Sequence, residues 1–181
     1  MLQTQPLAWG ARVSPAFRER VFALCDDLDW PEARASELMA VMAFETGRTF
    51  SPSIRNPGSS ATGLIQFMAA TAKYLGTSTT ALARLSAEGQ LYYVQRYLQP
   101  FAPRIRDLDD LYMAVLWPAA IGYSGDTLLW RSGKPIFAAN RGLDLDRNGR
   151  ITKREACRRV HEHLDEGYRM DNVWREPRAT P

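Results

Sequence analysis

Short amphipathic segments separated by Gly, Pro and Ser residues constrain the fold of this chain more than any other feature. From Ser14 onward, apolar residues recur every three or four positions, which is the period of a helix with one buried face. Ser14 is a suitable N-cap and Pro15 suits the first helical position, while Gly47 suits a left-handed helix end. The spacing predicts helices over residues 14–30, 31–46, 68–75, 79–85, 87–99, 107–117 and 153–166. We therefore expect a mainly α-helical chain.

Length and charge set broad limits on this chain. Its 181 residues fit one domain, and its net charge of +3 comes mostly from arginine. A basic balance suits an anionic polymer such as bacterial cell wall or nucleic acid, although a solvated basic surface is the simpler interpretation of charge alone. Cys25 and Cys157 lie far apart and in no metal or redox spacing. We expect free thiols, with one long-range disulfide as the alternative.

No apolar run has the length of a membrane span, and the N-terminal residues MLQTQPLAWGARV lack the charged-then-apolar pattern of a signal peptide. We therefore expect the chain to be made in the cytoplasm. If the protein acts outside the cytoplasm, another component has to carry it across the membrane.

Glu45 ends a largely apolar helical segment, MAVMAFE, and a Ser-, Gly- and Asn-rich loop follows it. Neighbouring apolar side chains such as Met42 and Phe44 would exclude water from the carboxyl group, which disfavours its charged form and raises its pKa. One such carboxyl group is the minimum that general acid catalysis of glycosidic cleavage needs. A single Glu at a helix end is more often a solvated residue, so its position alone does not predict catalysis.

The residues that follow Glu45 form a pattern of fixed order and separation. The segment FETGRTFSPSIRNPGSSATGLIQFMAATAKYLG resembles the signature region of the lysozyme superfamily, in particular soluble lytic transglycosylases and related phage lysins. In that family a helix ends in Glu-Ser or Glu-Thr, and a loop with Asn and Ser-Gly-Ala precedes Gly-Leu-Met/Ile-Gln-Phe, Thr-Ala and Leu-Gly. The matching positions are Glu45, Thr46, Asn56, Ser59, Ser60, Ala61, Gly63, Leu64, Ile65, Gln66, Phe67, Thr71, Ala72, Leu75 and Gly76.

The resemblance implies a lysozyme-like α+β fold in which Glu45 is the general acid and base. It implies that Gln66 hydrogen-bonds the sugar, since an amide donates and accepts without competing for the proton. A loop-stabilising amide is the alternative for Gln66. The candidate substrate-binding residues are Thr46 (which would place the glycan or the acid), Asn56, Ser60, Gln66, Phe67, Tyr93 (with Tyr97 as its alternative) and Tyr123.

One departure from the family leaves the reaction outcome open. LWPAAIGYSG stands in place of the Ala-Tyr-Asn-Ala-Gly motif of lytic transglycosylases, and Tyr123 is the candidate for the missing aromatic hydroxyl. A lytic transglycosylase closes the muramic acid 6-hydroxyl onto C1 and leaves a 1,6-anhydro product, whereas a lysozyme delivers water, usually with a second carboxylate. The candidates for a second carboxylate are Asp107, Asp109, Asp110 and Asp126. None lies in a motif, which favours the transglycosylase outcome.

A second pattern, DLDRNGRITKRE, is typical of an EF-hand calcium loop. Its candidate ligands at positions 1, 3, 5, 7 and 12 are Asp144, Asp146, Asn148, the backbone carbonyl of Arg150, and Glu155. Gly149 at position 6 permits the sharp turn, and Ile151 at position 8 is expected to pack inward. The preceding segment is not a good helix and no second loop exists, so we expect structural calcium. The alternative is an Asp/Asn turn before a helix that Thr152 caps.

These observations predict one lysozyme-like domain over residues 10–175, with the calcium loop at 144–155 and a loose tail at 176–181. A small β-hairpin, from pieces around Ile54 and residues 64–67, is expected beside the catalytic helix. The predicted function is cleavage of the MurNAc–GlcNAc bond of peptidoglycan in the periplasm or cell wall, by a monomer with no catalytic cofactor and no nucleic-acid partner. A phage holin or tail, or a secretion system, would supply its route. The alternatives are a non-catalytic glycan-binding module and a calcium-responsive interaction protein.

Overall fold

The computed structural model describes residues 5–176, and within that range the protein is mainly helical. The helices are α1 (Pro15–Asp27), α2 (Ala33–Glu45), α3 (Ala69–Tyr74), α4 (Thr79–Leu82), α5 (Ala87–Leu98), α6 (Leu108–Leu116), α7 (Pro135–Ala139) and α8 (Lys153–Gly167). The strands are β1 (Leu128–Arg131) and β2 (Arg150–Thr152), which form an antiparallel pair. The predicted helical class with a small β component is confirmed. Helix α7 and the two strands were not predicted.

Local capping fixes where the helices begin and end. The Ser14 hydroxyl accepts a hydrogen bond from the amide of Phe17 (3.0 Å), as expected for an N-cap. Asp107 accepts from the amide of Asp110 (2.8 Å) at the start of α6. Gly47 has φ +56° just beyond α2, in the predicted left-handed conformation.

Helix α2 lies at the centre of the core. Apart from Glu37, its residues are buried from Arg34 to Ala43, and it packs against α8, α6 and α1. A helix with apolar residues on nearly all sides has no face suited to water, so it becomes the central element. Arg34 is neutralised by Glu37 and donates to the carbonyl of Arg106 (2.7 Å). Because α2 is held by three other helices, its last residue, Glu45, has a fixed place.

The packed body begins before residue 10. Leu7 and Trp9 are almost completely buried, and Leu7 forms a β-bridge with Trp174 near the other end of the chain. The amide of Trp9 donates to the carbonyl of Gly167 (3.0 Å), which closes the body on itself. The predicted tail at 176–181 lies outside the described residues except for Glu176.

The β-hairpin predicted beside α2 is reduced to isolated bridges, which link Thr62 to Arg55 and to Phe67. The intervening Ser, Pro, Gly and Asn residues are poor strand formers, so no ladder develops there. The two-stranded sheet of the described chain lies at the calcium-loop segment instead, where Trp130 pairs with Ile151.

Two further predictions agree with the described residues. Cys25 and Cys157 are buried free thiols. No helix among residues 5–176 is both long and apolar enough to cross a lipid bilayer.

Candidate active site and metal loop

Glu45 is the last residue of α2, and its side chain is partly exposed. Its carboxyl group makes no hydrogen bond or ion pair with any residue in the range 5–176. No hydrogen bond or opposite charge therefore stabilises the ionised form of this carboxyl group, and burial raises its pKa to about 7. A carboxyl group with this pKa exchanges a proton readily near neutral pH.

Tyr112 on α6 interacts electrostatically with Glu45. Burial raises the pKa of Tyr112 well above its ordinary value, and the negative charge of Glu45 raises it further. The ring is held edge-on against Phe44, with 5.6 Å between centroids. Tyr112 therefore stays a neutral phenol close to the candidate acid. Tyr112 was not predicted as a site residue because an aromatic residue in LYMAVL is indistinguishable from ordinary core.

The turn after Glu45 is fixed by Thr46. Its side chain is fully buried, and its hydroxyl donates to the carbonyl of Met42 (2.7 Å) and accepts from the amide of Phe50 (3.0 Å). Thr46 has no exposed surface and holds the turn directly after Glu45, and its two predicted roles stay predictions. Direct contact with a glycan would require this turn to open.

The candidate site is bordered by backbone in the left-handed region. Arg48 (φ +71°), Phe50 (φ +50°) and Gln66 (φ +51°) all adopt it, although none is glycine. Arg48 is held by a bidentate ion pair with Glu166 (2.7 Å for the shorter contact), and Phe50 is buried. Such conformations are uncommon for these residue types and cluster at functional sites.

Gln66 serves the loop and also remains available to a ligand. Its side-chain amide donates to the carbonyl of Gly63 (3.0 Å), which matches the loop-stabilising alternative. Its side-chain oxygen makes no hydrogen bond within residues 5–176, and the residue is partly exposed. An acceptor is therefore free for a hydroxyl or N-acetyl donor.

Gln66 lines a small pocket of about 40 Å³. The other lining residues are Ile65, Phe67, Met68, Thr71, Tyr97 and Val115. Of the two tyrosines considered on α5, the structure places Tyr97 in this pocket. Val115 follows Tyr112 by three residues, so both lie on one side of α6. Helix α6 therefore borders both Glu45 and the pocket of Gln66.

Gln90, which was not predicted as a site residue, holds the turn that carries Gln66. Its side chain is completely buried; the oxygen accepts from the amide of Leu64 (2.6 Å), and the nitrogen donates to the carbonyls of Pro52 and Leu82 (3.0 Å each). A side chain at Gly63 would collide with Gln90. Nothing in the local sequence distinguishes this glutamine from a surface residue of α5.

Asn56 and Ser60 are exposed and shape the loop. Asn56 accepts from the amide of Gly58 (2.9 Å), and Ser60 accepts from the amide of Ala69 (3.0 Å) at the start of α3. Their predicted contact with substrate stays a prediction.

The two remaining tyrosine candidates, Tyr93 and Tyr123, contact residues outside this loop. Tyr93 packs edge-on against Tyr92, with 5.2 Å between centroids. Tyr123 is 54% exposed, and its carbonyl accepts from the amine of Lys153 (3.0 Å). Their predicted roles in substrate binding also stay predictions.

All four aspartates considered as a second carboxylate have other partners. Asp107 caps α6, and the other three form ion pairs. The pairs are Asp109–His161 (2.6 Å), Asp110–Lys153 (2.8 Å) and Asp126–Arg154 (2.8 Å). None of the four contributes to the pKa of Glu45.

The predicted calcium loop brings three carboxylates together. One oxygen each from Asp144, Asp146 and Glu155 lies within 4.8 Å of the others. Asp144 Oδ1 and Glu155 Oε1 are buried and have no hydrogen-bond partner. Buried carboxylate oxygens without partners are costly, and an oxygen-seeking divalent cation would satisfy both. The donor set therefore fits a hard cation.

The rest of the loop follows the predicted geometry. Gly149 has φ +77°, and its amide donates to Asp144 Oδ2 (3.1 Å). Ile151 is fully buried, as predicted for position 8. Thr152 also forms a capping box with Glu155, in which the second carboxylate oxygen, Oε2, accepts from the amide of Thr152 (2.9 Å). The capped-helix alternative is therefore present together with the cluster of three carboxylates.

A buried ion pair joins the loop 144–155 to α6. Lys153 follows Thr152, and its amine contacts Asp110 Oδ1 (2.8 Å) while both side chains are almost fully buried. Asp110 also accepts from the amide of Gly122 (2.7 Å). The loop is thereby anchored to the helix that carries Tyr112.

Comparison of the chain with protein-family models, with curated proteins and with solved structures gives no significant match. The likeness to the lysozyme superfamily and to EF-hand loops therefore rests on the motifs of this chain.

Proposed function

We propose that this protein cleaves the glycosidic bond between MurNAc and GlcNAc in peptidoglycan, with Glu45 as general acid and base. The observation that carries the proposal is the Glu45 carboxyl group: it ends a buried helix, has no partner among residues 5–176, and has a pKa raised to about 7 by burial. Such a group can protonate the leaving oxygen and afterwards accept a proton. The substrate sets the site of action in the cell wall.

The surroundings of Glu45 support the transglycosylase outcome of this reaction. Burial alone accounts for the raised pKa of Glu45, with no contribution from the four candidate aspartates, which favours a reaction that needs no second carboxylate beside it. Attack by the 6-hydroxyl of the muramic acid itself needs no second carboxylate. The free oxygen of Gln66 would accept from the glycan, and Phe67 and Tyr97 would form an apolar wall.

We also propose that the loop 144–155 binds Ca²⁺ in a structural role. Asp144, Asp146, Asn148, the carbonyl of Arg150 and Glu155 would hold the ion. The buried, unpartnered oxygens of Asp144 and Glu155 support this assignment. The pairing of Ile151 with Trp130 gives the solitary loop the strand partner that a second EF-hand would otherwise supply.

The test of the enzymatic proposal is product analysis. Wild type, Glu45→Gln and the control Glu19→Gln, which changes an exposed glutamate, are incubated with peptidoglycan, and the released muropeptides are identified by mass spectrometry. We expect 1,6-anhydro products from wild type and Glu19→Gln, and at least about a hundredfold less from Glu45→Gln. Hydrated reducing ends would assign a lysozyme instead. Absence of products from wild type would refute the enzyme and leave the glycan-binding module.

The calcium proposal is tested by thermal unfolding with and without Ca²⁺. Ligand binding to the folded state raises the melting temperature, so wild type is expected to gain stability and Asp144→Asn to gain little. Asp126→Asn, which removes an exposed acid outside the loop, should respond like wild type. Equal responses of both variants would contradict the assignment.

A further inference from the structure

A second, larger pocket lies beside the metal loop. The volume of this pocket is about 680 Å³. Its walls come from α7, from the residues that follow α7, from the loop 144–155 and from α8. Phe137 and Leu145 supply apolar surface, and Arg141, Arg147 and Arg159 supply charge. The residues that line this pocket and those that line the pocket of Gln66 do not overlap.

No acidic side chain among residues 5–176 forms an ion pair with the three arginines of this pocket. All are exposed, and none of their side chains makes a hydrogen bond or ion pair within residues 5–176. This differs from Arg154 and Arg158 on the same helix as Arg159, which pair with aspartate and glutamate side chains.

Asp144 is the one acid among the lining residues, and it is engaged by the loop. Its Oδ2 accepts from the amide of Gly149 (3.1 Å), and its Oδ1 belongs to the candidate metal site. Three guanidinium groups against one carboxylate leave the pocket positively charged.

We propose that this pocket binds an anionic ligand through a carboxylate or phosphate group. A guanidinium offers a planar fork of donors that matches either group bidentately, and several arginines lining one pocket are suited to such recognition. The apolar surface of Phe137 and Leu145 would hold the uncharged part of the ligand. Glu45 is not among the residues that line this pocket, and the proposal does not rest on the proposed enzymatic reaction.

The experiment is an NMR titration of wild type with two soluble probes, methyl phosphate and N-acetylglutamate, in buffer that contains Ca²⁺. We expect saturable shifts of the Nε–H resonances of Arg141, Arg147 and Arg159. The variants are Arg159→Ala and the matched control Arg158→Ala, on the same helix and with the same loss of charge. We expect binding about tenfold weaker in Arg159→Ala, since a charge-assisted bidentate contact is lost, and a change within about twofold in Arg158→Ala.

Binding of only one probe would still support the site and would show whether its ligand carries a phosphate or a carboxylate group. The proposal is overturned if neither probe gives saturable shifts, or if Arg158→Ala weakens binding as much as Arg159→Ala, because attraction to the general basic surface would then explain it. Thermal melts check that both variants fold. Normal folding is expected because both side chains are exposed.

Discussion

Replacing Glu45 with Gln is expected to stabilise the folded protein at neutral pH while it removes the proposed acid. The folded-state pKa of Glu45 is about 7, against an ordinary value of 4.5. Each unit of difference corresponds to about 1.36 kcal/mol of free energy, so the ionised carboxylate costs the folded state up to about 3 kcal/mol. Because the side chain keeps some contact with water, we expect a measured gain of about 2 kcal/mol in the variant.

The sign and the pH window follow from the direction of this shift. Below the unfolded pKa the carboxyl is protonated in both states, and Glu and Gln should differ little. Between the unfolded and folded pKa values only the unfolded state ionises, so wild type loses stability progressively as the pH rises. Above the folded pKa the loss is complete, and the difference between Gln and Glu reaches a plateau.

The assay is urea unfolding of wild type, Glu45→Gln and Glu19→Gln at about pH 4 and about pH 8, with the free energy of unfolding taken from the linear extrapolation. Glu45→Gln should be more stable than wild type at the higher pH only, whereas the exposed control should follow wild type throughout. A difference between Gln and Glu that is the same at both pH values would refute the assignment of a desolvated carboxyl at position 45.

Three further predictions concern buried groups. Gln90→Leu should lower the free energy of unfolding by about 2 kcal/mol, since the amide of Leu64 and the carbonyl of Pro52 lose the Gln90 side chain, while the carbonyl of Leu82 keeps the amide of Leu85 (3.2 Å). Gln95→Leu, whose side-chain contacts are nearer the surface, should cost much less in the same urea titration. Lys153→Met should cost about 3 kcal/mol, because the buried carboxylate of Asp110 would keep only the exposed Arg106 (3.2 Å) as its ion-pair partner. A cost below about 1 kcal/mol would show that water or Arg106 compensates the carboxylate. Burial raises the pKa of Cys25 to about 12 and also raises the pKa of Cys157. A thiol-specific reagent should therefore modify neither cysteine until urea unfolds the chain. Fast labelling of the native protein would contradict the burial of the two thiols.

Much of this protein is predictable from sequence because the deciding interactions are local. The N-cap hydrogen bond at Ser14 links residues three positions apart, and the left-handed conformation that ends α2 involves Gly47 alone. The spacing of the apolar residues likewise predicts which side of each helix is buried. The sharp turn at Gly149 and the inward position of Ile151 follow in the same way from spacing within the twelve residues of the metal loop.

The tertiary structure decided the parts of the site that depend on distant pairs. Gln90 meets Leu64 across 26 residues of sequence, and Lys153 meets Asp110 across 43. Tyr112 comes close to Glu45 only because α6 packs on α2.

The β component also needed long-range information. The residues of β1 form a strand because β2 is there to receive their hydrogen bonds, whereas the loop after α2 has no such partner and forms single bridges. A sequence specifies local hydrogen bonds and the side of each helix that avoids water. Which buried groups become partners is decided by how those helices pack, because packing depends on the shape and volume of the whole core.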